Sequence, residues 1–130
     1  MSSGIATIRP EFLSMLAAGT GNTILPFSKE IFLQKITIAG TGYCDEIERL
    51  SPKLVPNTVL SLKRDPKNKH DELAIEVLFE NIRIGWVPRT QNNVVARLMD
   101  AGKNLLARVT KTHTESDMWI SIECEMYMIE

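Results

Sequence analysis

The sequence predicts a mainly β protein with one principal α-helix, its strands folding into a small closed or nearly closed barrel of about five or six strands. Three observations point there. Apolar residues recur at every second position in several short runs, and turn formers separate those runs. The best helical spacing of apolar residues lies in one stretch, Thr90 to Ala101.

In chain order, Pro10 suits the first turn of a short helix through Ala18, with Gly19 as its stop, and Thr20 to Thr23 reads as a linker. Phe27, Ile31 and Phe32 fit a further helical turn introduced by Ser28 as a cap. Residues 1–33 are therefore expected to form an N-terminal arm with short helices, and residues 34–130 the barrel. Ile36 and Ile38 switch to strand alternation, which ends at Gly40 and Gly42. Tyr43 to Asn57 is polar, contains Pro52 and Pro56, and reads as a loop with a turn of helix around Asp45 to Leu50.

Leu60 and Leu62 alternate with Ser61 and Lys63 until the turn formers Asp65-Pro66-Lys67-Asn68 break the pattern. Leu73, Ile75, Val77 and Phe79 then share one face, and Ile82, Ile84 and Trp86 resume beyond Asn81, the pattern of a hairpin. Gly85 signals close backbone approach or a bulge, and Pro88 ends the strand. Thr90 to Ala101 carries Val94, Val95, Leu98 and Met99 at helical spacing, with Gly102 where a left-handed terminal residue belongs. Leu105, Ala107 and Val109 alternate as a strand, His113 to Asp117 reads as a polar turn, and Ile120, Ile122, Cys124, Met126 and Met128 form the returning strand. The expected core includes Ile38, Leu62, Ile75, Val77, Ile84, Leu98 and Ile122.

At 130 residues and 44% apolar content, the chain is one domain large enough to bury a core without disulfides or metal. A net charge of −1 and a pI of about 6.1 argue against coating nucleic acid through bulk charge, so any such binding must be local. Cys44 and Cys124 lack the paired spacing of a zinc site or a redox motif, so no metal is expected. There is no apolar run of spanning length and no signal-like start, which reads as a cytoplasmic protein without a membrane partner.

The run RDPKNKHDELAIEV followed by IGWVPR resembles the HIRAN domain family at Arg64, Asp65, Pro66, Asn68, Asp71, Ala74, Ile75, Val77, Gly85, Val87 and Pro88. The likeness extends back to Ile38 through Tyr43 and forward to about Gly102, more loosely to Glu130. It implies an OB-like or SH3-like barrel that binds single-stranded DNA in a groove bordered by the Arg64 to Asp71 loop.

The residues of that groove each have two readings. Lys63, Arg64, Lys67 and Lys69 make one locally positive region, either a solvated turn or a set of phosphate contacts. Tyr43 either stacks on a base or caps the barrel mouth, and the family's helicase members carry an Arg where this chain has Gly42. His70 stands where those members have a second stacking Tyr, and an imidazole stacks less extensively. Asp71 either caps a turn before Leu73 or, as the resemblance implies, accepts a hydrogen bond from a terminal 3′-OH. Arg89 aligns with a basic position of the helicase version.

The expected function is a noncatalytic module, without cofactor, that binds single-stranded DNA or DNA ends through Tyr43, Arg64, Asn68, Lys69, His70, Asp71 and Arg89. The resemblance ties such a module to DNA repair or replication-fork processing beside a separate helicase or nuclease. No Walker A motif or nucleophile motif accompanies it. The alternative is a protein-interaction or structural barrel that has lost DNA binding.

Overall fold

The computed structural model describes residues 29–114 and 120–130. Six antiparallel strands form one sheet: β1 (Glu30–Thr37), β2 (Val59–Arg64), β3 (Ile75–Phe79), β4 (Ile82–Trp86), β5 (Asn104–Thr114) and β6 (Ile120–Ile129), in the order β1-β6-β5-β2-β3-β4. Among the described residues two α-helices interrupt them, α1 (Ile47–Leu50) and α2 (Asn93–Asp100), with short 3-10 turns at Thr41–Tyr43, Ser51–Lys53 and Arg89–Gln91. The mainly β class with one principal helix therefore holds.

Period-two burial fixes the strand faces. Ile75, Val77 and Phe79 of β3 and Ile120, Ile122, Cys124 and Met126 of β6 are all buried, in one core with Ile36, Ile38, Leu60, Leu62 and Ile84. Leu98 is only partly buried against that core. The β3–β4 turn consists of Glu80 and Asn81, both at positive φ (50° and 69°), which matches the twist a two-residue hairpin needs.

The sheet is not a continuous closed ladder. Its edge strands β1 and β4 meet through a single bridge just beyond the end of β1, where Ala39 and Trp86 exchange backbone bonds of 2.8 Å in each direction. Gly85 permits this approach, since a Cβ there would collide with the Ala39 carbonyl and the Ile38 side chain. The register of β3 against β4 also shifts at this point, so Gly85 marks both a bulge and a close approach. Farther back along β1, Gln34 Nε2 donates to Gln91 O (2.7 Å) and Gln91 Nε2 donates to Lys35 O (3.1 Å), tying β1 to the 3-10 turn before α2.

Three sequence expectations are corrected. The helical turn expected around Ile31 and Phe32 is strand: β1 starts at Glu30 and pairs with β6 from Glu30↔Ile129 onward. A register shift between Phe32 and Gln34 breaks its alternation, and Ile31 and Phe32 are both exposed, so the period-two signal fails there. The barrel therefore includes Glu30 to Leu33, which the sequence boundary assigns to the arm; the rest of that arm, up to Ser28, lies outside the described residues. The polar turn expected over His113 to Asp117 does not start at His113, because β5 runs to Thr114 opposite Ile120; residues 115–117 of that expectation lie outside the described residues.

Finally, the buried face of α2 carries Val95 and Ala96, whereas Val94 is 68% exposed. The helix ends as expected: Gly102 has φ 90°, its N–H bonds Met99 O, and Lys103 N–H bonds Leu98 O, which is a Schellman closure. No helix among the described residues is long and apolar enough to cross a membrane.

Candidate nucleic-acid interface

The loop from Asp65 to Ala74, between β2 and β3, is built from its own side chains. Asp65 and Ala74 close its base through Asp65 N–H to Ala74 O (2.9 Å). Asn68 organises the interior: its Nδ2 donates to Asp65 Oδ2 (3.1 Å), and its Oδ1 accepts from the backbone N–H groups of His70 (2.9 Å) and Asp71 (3.1 Å). Asp71 Oδ1 accepts from Leu73 N–H (3.0 Å), the Asx-type turn that sequence offered as one reading of this residue.

Two clamps hold the loop from outside. Arg64 donates from Nη1 to Ala74 O (2.6 Å) and from Nη2 to Glu72 O (2.9 Å), and its Nε pairs with Asp100 Oδ1 on α2 (2.9 Å). Its side chain is only 12% exposed. The Arg64 bond holds the Asp100 carboxyl below the usual aspartate range. On the opposite flank, Asn92 Nδ2 donates to Asp71 Oδ2 at 2.7 Å.

Between the loop and the start of α2 runs an open groove of about 630 Å³, within the usual range for a ligand site. Asn68, Lys69, His70, Asp71 and Arg89 line it together with Glu72, Leu73, Thr90, Asn92 and Asn93. Lys69 and Arg89 are exposed and share this lining with Asp71. The groove thus offers a cation on each wall, an exposed imidazole and a fixed hydrogen-bond acceptor, a combination able to hold phosphates and a hydroxyl at once.

Two of the expected site residues are not among those that line this groove. Arg64 is turned inward onto loop carbonyls and Asp100. Tyr43 is 84% exposed and lines a separate cavity with Cys44, Arg83 and Trp86, where the Arg83 guanidinium lies 4.4 Å from the Trp86 ring centroid. Sequence reasoning missed Asn92, Asn93, Thr90 and Glu72. For Asn92 a signal existed, an amide residue directly before the apolar spacing of a helix. Among the described residues, no group of His, Cys, Asp and Glu is gathered to hold a metal ion.

The HIRAN domain model matches residues 31–128. A crystal structure of a protein from Lactobacillus plantarum superposes with a TM-score of 0.72 at 27% identity, covering 79% of this chain and 98% of that one. The HIRAN domain of human HLTF superposes with a TM-score of 0.60 at 20% identity, covering 85% of this chain and 81% of that one, a likeness of fold. No curated protein matches the chain. With the family model spanning most of the chain, and Asn68 and Asp71 of its motif lining the groove, this protein belongs to the HIRAN domain family, a family of DNA-binding domains.

Proposed function

We propose that the groove between the β2–β3 loop and α2 binds the end of single-stranded DNA and prefers a free 3′-OH. One observation carries the reading: Asp71 lies in the same groove as Lys69 and Arg89, and each of its carboxylate oxygens accepts one protein donor. A carboxylate oxygen has two lone pairs, so each keeps one acceptor position for a ligand hydroxyl. A terminal phosphate in that place would set anion against anion. The cations supply sequence-independent attraction for the backbone, and His70 offers a face for stacking. In the cell such a module would bring a separate helicase or nuclease to DNA ends during repair or fork processing.

The test is a fluorescence-anisotropy titration with 3′-hydroxyl and 3′-phosphate single strands. Wild type should prefer the hydroxyl end. Asp71→Ala should weaken the hydroxyl-ended strand by roughly ten- to a hundredfold, since a hydrogen bond to a charged group contributes about 1.5 to 3 kcal/mol, and should abolish the discrimination. Equal wild-type affinity for both ends would sink the end-reading role. The second reading, a protein-interaction barrel, is favoured by the inward engagement of Arg64, and absence of binding to either strand would select it.

A further inference from the structure

We propose that Asn92 is a positioning residue that sets the orientation in which Asp71 presents its carboxylate to a strand end; this rests on the end-reading role of Asp71 proposed above. Asn92 stands at the N-cap of α2, and its carbonyl accepts the helical bond from Ala96 N–H at 2.8 Å. An asparagine there ordinarily turns its side-chain oxygen back onto an N–H of the first helical turn. Asn92 makes no such bond.

Its side chain, on a residue only 2% exposed, instead reaches across to the loop and donates to Asp71 Oδ2 at 2.7 Å. The acceptor is a carboxylate, so the amide orientation is settled: nitrogen must face Asp71.

The geometry explains what this bond does. Leu73 N–H holds Oδ1 from within the loop, and Asn92 holds Oδ2 from the helix. Two donors from separate elements fix the plane of the carboxylate, whereas one donor leaves it free to turn about the Cβ–Cγ bond. The remaining acceptor positions then point in fixed directions before any DNA arrives, which is how a weak hydroxyl donor is distinguished from a phosphate. Lys69 and Arg89, in contrast, act as charges whose attraction for phosphates tolerates small displacements.

The substitution that isolates this role is Asn92→Ser. Serine is as good an N-cap as asparagine but too short to span to Asp71, so the helix start is kept and the clamp is lost. The variant should stay cooperatively folded, its thermal midpoint lowered by no more than about 10 °C. In the anisotropy titration the preference for hydroxyl over phosphate ends should fall about threefold to tenfold, a part of what Asp71→Ala removes, while the salt slope stays unchanged. A merely structural role would weaken both ends alike.

As a second measure, the Asn92 side-chain amide resonances of ¹⁵N-labelled protein should move when Asp71→Ala removes the carboxylate they bond. Amide resonances indifferent to Asp71, or an end preference unaltered in Asn92→Ser, would overturn the role of Asn92 while leaving Asp71 as the reader of the end. Wild type with no end preference overturns the reading of Asp71 itself, and the role of Asn92 with it.

Discussion

An arginine holds carbonyl oxygens with the same planar set of donors that it offers to a phosphate, and sequence alone does not distinguish the two uses. Arg64 belongs to the first kind, with Glu72 O, Ala74 O and Asp100 as its partners. Arg64→Ala should therefore lower stability by about 1.5 to 3 kcal/mol in urea unfolding, and any loss of DNA affinity should leave the salt slope unchanged. Lys69→Ala should do the reverse, with stability within about 0.5 kcal/mol and the slope for single strands shallower by about 0.7. The pH dependence has a definite sign. Because the Arg64 bond depresses Asp100 below the usual value of 3.8, its contribution is present above that value and is lost as acid carries the pH below it. Asp100→Asn should flatten the acid limb of a stability–pH curve measured by chemical denaturation.

Cys124 is the other residue whose surroundings set its chemistry. Burial pushes its thiol up to about 12, with the Glu123 charge adding to the effect, so the thiolate that reacts with disulfide reagents is scarce near neutrality. Cys44 is only partly buried. A thiol titration of native protein at pH 8 should label Cys44 and spare Cys124 until denaturant is added.

At the scale of elements, the sharpest contrast lies between two glycines. Gly85 sits against the backbone of Ala39, and Gly85→Ala should cost about 3 kcal/mol or more, because the obstacle is main chain that has no rotamer to yield. Gly102 has open space around it, so Gly102→Ala meets only the penalty of a left-handed backbone, about 1 to 2 kcal/mol. Thermal unfolding of the two variants checks the ordering. Strands buried on one face were legible because burial imposes period two, as at Ile75, Val77 and Phe79. The start of β1 was not, because the shift after Phe32 interrupts that period. The β2–β3 loop was legible as a candidate site through its motif. The bond from Asn92 to it was not, although an amide before a helix was visible, because Asp71 lies 21 residues away along the chain.

For the whole molecule, a net charge of −1 leaves attraction for DNA to the groove. With Lys69 and Arg89 as its cations, the logarithm of the binding constant for single strands should fall with log salt at a slope of about −1.4, far shallower than for a protein that coats DNA. Titrations at several salt concentrations measure it. The seam between β1 and β4 bears on a different property. Strand edges that meet at one backbone bridge, with Gln34 and Gln91 tying β1 to the 3-10 turn before α2, are shielded from other chains only while that seam stays shut. Opening it would offer two unpaired rows of N–H and C=O groups to neighbouring copies, so Gln91→Ala and Gly85→Ala should self-associate on warming, at temperatures where the wild type still sediments as a single small species.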